Sequence, residues 1–341
     1  MPVPPLDHDA MRAAADRQAR LTKPAGSLGR LEELSVRLAG MTGSLDPPLD
    51  RAVIFTLAAD HGVSAEGVSA YPREVTPQMV LNFLRGGAAI NVLARAVGAR
   101  VVVADLGVDA DLPSHPELRA IKVRRGTASI TRGPAMSEAE ARRAVDAGRQ
   151  LVLDEDPDVV LTGDMGIGNT TASAALVCAL TGLEPALVVG RGTGVDEEGL
   201  RRKQSAVSRA LDVNRDAVAR GPLAALASVG GLEIAGLVGV ILQAAEMRRP
   251  AIIDGFISGA AALTAAAIDQ GAPDYMVASH RSHELGHRVV LERLGLQPLL
   301  DLDMRLGEGT GAALALPLVR AAVRLLNDMA TFGEAGVSER A

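Results

Sequence analysis

The sequence predicts an α/β fold, a mainly parallel sheet flanked by helices, on three observations. Short β-branched runs alternate with Ala- and Leu-rich helical stretches along most of the chain. That alternation marks strands joined by crossover helices, which cover both faces of a sheet. Acids recur where the strand-like runs end: Asp60, Asp105, Asp164, Asp254 and Asp303, each followed closely by glycine. In open α/β sheets the ligand crevice lies outside the carboxyl ends of the strands, so one sheet edge should collect carboxylates and glycine turns. Some of these acids are expected only to cap the helices that follow. Third, residues 158–180 read as strand, glycine turn and helix start in immediate succession.

The elements follow in order. Residues 7–21 and 28–41 read as two helices joined by a loop at Lys23-Pro24-Ala25-Gly26-Ser27, and Pro47-Pro48 marks a boundary. Strands are expected at 52–57, 100–104, 158–162, 186–189, 251–253, 275–278 and 298–302, where β-branched and apolar residues cluster between turn signals. Helices are expected at 172–180 and 316–326. Abundant alanine blurs the 3.6-residue period, so it does not fix the helix ends.

Composition narrows the function. The 341 residues can bury a large core, and hydrophobic residues make up 48%, yet there is no Trp and there are only two Tyr and four Phe. Nucleic-acid recognition needs aromatic platforms or a basic stripe, and a net charge of −6 supplies neither. Any anion must therefore be gripped locally. The single Cys178 excludes an intramolecular disulfide, and its apolar helical setting predicts an inert buried thiol. The first residues show no basic-then-apolar signal pattern, and the greasiest stretches are cut by Glu233, Gln243 and Asp254. A cytoplasmic protein with no membrane contact is expected.

The run Gly163-Asp164-Met165-Gly166-Ile167-Gly168-Asn169-Thr170-Thr171 carries the clearest chemistry. A strand that turns through glycines into a helix start converges backbone N–H groups, hydroxyls and the helix dipole on one point, which suits a phosphate. It is no P-loop, because the Gly-Lys-Ser/Thr ending is missing, and Thr171 stands where a dinucleotide fingerprint needs its third glycine. On residue grounds two readings stand: phosphate binding, or a tight turn without a ligand.

Three further patterns mislead. His283-Glu284-Leu285-Gly286-His287 matches H-E-x-x-H, but Gly286 weakens the helix and Val290 replaces the metzincin glycine. A solvated helix face is the expected reading, and no metal site is expected. Gly190-Arg191-Gly192-Thr193-Gly194 has its third glycine one position early. Gly307-Glu308-Gly309-Thr310-Gly311-Ala312 fits G-x-G-x-x-A, but no ribose-binding acid follows at the required distance. No strand ends in two adjacent acids, so if ribose is transferred its donor is not a pyrophosphate.

As a set these motifs resemble the nicotinate-nucleotide–dimethylbenzimidazole phosphoribosyltransferase family. The resemblance spans nearly the whole chain: KPAGSLGRLE at 23–32, ADHGV at 59–63, YPREVT at 71–76, FLRGGAAINVLAR at 83–95, GDMGIGNTTAS at 163–173, DGFISGAAAL at 254–263 and MRLGEGTGAAL at 304–314. It implies displacement of nicotinate from nicotinate mononucleotide by a benzimidazole base, with inversion and with no cofactor. It also implies a Rossmann-like large domain at 31–314, a small helical domain from 1–30 and 315–341, and a homodimer. The Lys23–Leu28 loop would complete a neighbouring subunit's site.

Site residues follow from the same resemblance. Glu308 matches the family's general base. Gly166, Gly168, Asn169, Thr170 and Thr171 would hold the 5′-phosphate with Lys203 as countercharge. Asp164, where the family usually has Glu, would handle the ribose hydroxyls. Tyr71, Pro72, Gln78 and Met79 look like the benzimidazole pocket, with Asp60 and His61 nearby. Two alternatives remain. The same donor chemistry could serve another acceptor (adenine, another benzimidazole or a phenol), or the protein could bind a nucleotide without catalysis.

Overall fold

The computed structural model describes residues 2–192 and 194–338. Residues 1 and 339–341, at the ends of the expected small domain, and Thr193 of the GRGTG run lie outside the described residues. Two helices open the chain, α1 (His8–Arg20) and α2 (Arg30–Thr42). The Asp7 carboxylate caps α1 by accepting the Ala10 N–H at 2.9 Å. Then come β1 (Ala52–Ala59), α3 (Val75–Leu84), α4 (Ala89–Val97), β2 (Arg100–Gly107), β3 (Leu118–Ala120) and α5 (Glu138–Glu155). β4 (Val159–Met165) turns directly into α6 (Asn169–Thr181), followed by α7 (Glu197–Val213), α8 (Arg215–Val218), α9 (Pro222–Val229) and α10 (Leu232–Glu246). The last part holds β5 (Ala251–Ile253), α11 (Phe256–Ile268), β6 (Met276–Ala278), α12 (Leu285–Leu294), α13 (Thr310–Asp328) and α14 (Phe332–Ala335).

The six strands form one sheet in the order β3-β2-β1-β4-β5-β6, and every neighbouring pair is parallel. This is the expected α/β architecture. The order reverses between β1 and β4, which is where such sheets open a ligand crevice. β1 is buried along its length. Val53, Phe55 and Leu57 point into one core with α5, α6, α10 and α11, while Ile54 and Ala58 point into a second with α2, α4 and α13. Such two-sided burial is why parallel strands read as continuous apolar runs.

Two expected strands are corrected. Residues 186–189 are not a strand; Pro185–Leu187 form a short 3-10 turn. Pro185 has no N–H to give a ladder, and Leu187 is exposed. Residues 298–302 make only one bridge, Leu300 to His280. Conversely, β3 was not expected, because three residues centred on Arg119 are too few to show a period.

α1 packs on α2 and α13 through Ala10, Ala14, Ala39 and Leu326. Residue 314 falls inside α13, and Leu34, Leu38 and Met41 of α2 share a core with Ala312, Leu316 and Val319 of α13. α2 and α13 thus pack onto the sheet's own core, and α1 lies over them. The stretch Val75–Val97 has the length and composition of a membrane span, but it folds as α3 and α4, separated at residues 85–88.

Helices α5 and α10 touch backbone to backbone. A Cβ added to Gly239 would collide with the Val145 carbonyl, and one on Gly148 with the Gly236 carbonyl. Gly239→Ala is therefore expected to destabilise the fold by about 1–3 kcal/mol, the usual cost of overpacking. A lower midpoint in urea with an unchanged slope would report it; an unchanged midpoint would mean that the helices can separate freely.

Candidate active site

A cavity of about 510 Å³ opens at the carboxyl ends of β4, β5 and β6, beside the point where the strand order reverses. Its polar wall holds Asp164, Asn169, Thr170, His280, Glu284, Arg305 and Glu308. Its apolar wall includes Tyr71, Met79, Ile167, Phe256 and Leu306.

Glu308 sits in a loop of unusual backbone: Gly307, Glu308 and Gly309 have φ of +83°, +63° and +98°. Glycine adopts such angles freely, but glutamate does so at a cost of about 1–3 kcal/mol, which persists only where surroundings enforce it. Here they do. The Thr56 hydroxyl donates to the Glu308 carbonyl at 3.0 Å. Asp254, buried at the end of β5, accepts the N–H groups of Gly309, Gly311 and Ala312 at 3.3, 2.7 and 3.0 Å. Gly163 on β4 lets the loop approach, since a Cβ there would strike the Glu308 carbonyl. The Glu308 side chain is buried, and its Oε2 accepts the Ile90 N–H at 3.2 Å, at the start of α4. Burial raises its pKa above the ordinary value; the Ile90 bond opposes this and the nearby Asp254 reinforces it.

The glycine turn forms the opposite polar region. Gly168, with φ +97°, leads into α6, and the Ile167 N–H donates to the Thr76 hydroxyl at 3.1 Å. Lys203 is fully buried on α7, and its ammonium donates to Thr170 Oγ1 at 3.0 Å. Burial pulls its pKa down to about 8 against the attraction of Glu284. Gly192 passes so close that a Cβ would lie 2.6 Å from Lys203 Nζ. Arg305 donates to the Gly192 carbonyl at 3.0 Å. Two cations thus meet at one end of the cavity, a local grip on an otherwise acidic protein. Asp164 accepts from Asn169 Nδ2 at 2.8 Å, and burial, then Asp254 and Glu233, hold its pKa well above the carboxylate range.

The structure brings together Glu308, Asp164, Gly166, Asn169, Thr170, Tyr71 and Met79 as cavity lining, with Lys203 reaching it through Thr170. Gly168 and Thr171 lie behind the turn, where Gly168 faces His61 and Ser64 and Thr171 is fully buried. Pro72 and Gln78 are exposed and do not line the cavity. Asp60 and His61 do not line it either.

Sequence reasoning missed Arg305, His280 and Glu284, and noted Asp254 only as an acid at a strand end. Arg305 could have been found from its place in the RLGEGTG run; the others needed the fold. Gly311 lets the His280 ring lie against the start of α13, since a Cβ there would strike the ring.

The H-E-x-x-H match is corrected. α12 begins at Leu285, after His283, and Glu284 and His287 are buried rather than solvated. Between them Gly286 lies against Phe256 and the Val188 carbonyl, where a side chain has no room. Burial and the neighbouring His280 push the His287 pKa down to about 3. Among the described residues no group of three His, Cys, Asp or Glu is placed to hold a metal ion. Cys178 is buried, and burial pushes its thiol up to about 12, as an inert thiol requires.

Comparison with known proteins accords with this geometry. A family model described as phosphoribosyltransferase matches residues 3–337. A Chloroflexus aggregans protein named nicotinate-nucleotide–dimethylbenzimidazole phosphoribosyltransferase is 59% identical over 339 residues, covering 98% of this chain and 96% of that one. The Thermus thermophilus protein of the same name is 55% identical over 336 residues, covering 98% and 99%. The crystal structure of CobT from Thermus thermophilus superposes with a TM-score of 0.93 at 54% identity, covering 97% of this chain and 100% of that one.

Proposed function

This chain belongs to the nicotinate-nucleotide–dimethylbenzimidazole phosphoribosyltransferase family, and we propose that it performs the family's transfer with Glu308 as its base and the Thr170–Lys203 contact as its phosphate anchor. The enzyme moves the 5-phosphoribosyl group of nicotinate mononucleotide to 5,6-dimethylbenzimidazole, giving α-ribazole 5′-phosphate and nicotinate. The unprotonated ring nitrogen of the base attacks the anomeric carbon from the face opposite the leaving ring. The bond to the pyridinium nitrogen breaks, and its electron pair neutralises that ring. The proton on the second benzimidazole nitrogen passes to the Glu308 carboxylate. Because the leaving group departs as an uncharged ring, no Lewis acid is needed to stabilise it.

The observation that supports these roles is the loop of three left-handed residues, which holds Glu308 in the same cavity as Thr170 and its bonded Lys203. We assign the 5′-phosphate to the turn at 166–170 with Lys203 and Arg305, and the ribose hydroxyls to Asp164. The acceptor ring goes between Tyr71, Met79 and Leu306, where an apolar plane finds a ring and a thioether. Tyr71 and Leu306 stay more than half exposed at 56% and 59%, an apolar rim that a second copy of the chain would cover, so we infer a homodimer. Phosphorylated nucleotides do not cross membranes unaided, which puts their consumer in the cytoplasm with them.

Nicotinate release from nicotinate mononucleotide and dimethylbenzimidazole, followed against pH with a chelator present, tests this reading. The base works only when deprotonated, so kcat/KM should fall as pH drops through the raised Glu308 pKa, above 4.5. It should fall again as pH rises past about 8, where Lys203 loses its charge. Strict dependence on added metal would overturn the mechanism.

A further inference from the structure

The turn assigned above to the phosphate stands on two supports that do not line the cavity. Behind it lies His61, just past the end of β1, with Nε2 2.6 Å from Glu233 Oε1 on α10. Both side chains are buried. The turn's glycines fit this ring: a Cβ on Gly166 would lie 3.3 Å from His61 Cδ2 and Nε2, and one on Gly168 would lie 3.3 Å from His61 Cβ. At Gly231, just before α10, a Cβ would collide with His61 Cε1. The second support is Thr76 on α3, fully buried, whose hydroxyl accepts the Ile167 N–H at 3.1 Å. The Thr76 side chain also hydrogen-bonds the Asp60 carboxylate, whose Oδ2 accepts the Asp109 N–H at 2.8 Å.

A buried ion pair is a poor way to stabilise a core, since well-packed apolar residues of similar volume often do as well. Two polar supports converging on one short turn therefore point to a task at that turn. The charged groups facing His61 are Glu233 from α10 and Asp60 from its own strand end, and Asp164 on β4 faces Glu233. Burial alone would lower the His61 pKa, but the Glu233 carboxylate outweighs it and raises it. The His61 ring packed behind Gly166 and Gly168 and the Thr76 hydroxyl on the Ile167 N–H together fix the direction of the turn's donors.

We propose that His61 with Glu233, and Thr76 with Asp60, are positioning residues that aim the turn at 166–170 toward the donor's 5′-phosphate without touching substrate. This rests on the phosphate placement proposed above. The test is Glu233→Gln, which keeps the volume and removes the carboxylate charge. Its affinity for nicotinate mononucleotide should fall about tenfold, in line with one charge-assisted hydrogen bond, and its affinity for nicotinate riboside by less than about twofold. At saturating donor, kcat should stay within about threefold. Thr76→Val should show the same split and Thr76→Ser should restore it, which decides the matter if Glu233→Gln does not fold. Equal losses for nucleotide and nucleoside, or no loss for either, would overturn the proposal provided that Lys203→Met still discriminates the two donors. If Lys203→Met weakens both alike, the phosphate placement itself is wrong and this inference falls with it.

Discussion

Glu308→Gln is expected to lower kcat by about two to four orders of magnitude, the contribution of a positioned general base, while nicotinate mononucleotide still binds. The substitution is close to isosteric, and the amide oxygen can still accept the Ile90 N–H that now meets Oε2 at 3.2 Å. The backbone at φ +63° costs glutamine what it costs glutamate, so the loop has no new reason to relax. What disappears is the capacity to take the benzimidazole proton. The raised pKa of Glu308 works in the same direction, because burial makes the carboxylate a stronger base than one in water. Rapid-quench and steady-state measurement of nicotinate release, beside donor titration by calorimetry, separates the two effects. A loss under about tenfold would remove Glu308 from the proton transfer. A loss confined to donor affinity would move it to a binding role.

Lys203→Met should weaken nicotinate mononucleotide by about 10- to 100-fold, as hydrogen bonds to charged groups contribute about 1.5–3 kcal/mol. Its nucleoside, lacking the phosphate, should lose less than about threefold. Methionine fills most of the volume of a side chain that is fully buried, so the comparison measures charge rather than a cavity. The Thr170 hydroxyl, now accepting from Lys203 at 3.0 Å, stays free to donate to the phosphate. The wild-type donor affinity should also decline above about pH 8 as the ammonium titrates, and this decline should vanish in the variant. Persistence of the alkaline decline in Lys203→Met would assign it to another group.

Much of this site was legible one residue at a time. The turn at 163–171 announced itself because glycines, hydroxyls and a preceding apolar run are local signals, and β4 entering α6 at Asn169 is what they describe. The acids at strand ends were equally visible, since parallel strands leave their carboxyl ends along one edge. The family resemblance then gave Glu308 and Lys203 roles that composition and spacing could not. Lys203 shows the limit of local reading. Nothing around it in sequence separates it from a solvated lysine, yet α7 carries it under Gly192 and Thr170. His280 and Glu284 were missed for the same reason: only the fold brings them to a cavity whose glycine turn lies more than a hundred residues away in the chain.

The sequence alone settled the layer structure and the glycine turn. Each depends on short-range patterns of size, polarity and backbone freedom. The fold decided which acids face one another and how dry they are. It therefore decided that Asp254 anchors the Glu308 loop, that His61 and Glu233 sit behind the turn, and that residues 186–189 leave the sheet. Burial and electrostatic coupling are properties of groups that meet across long stretches of chain, so no local pattern encodes them.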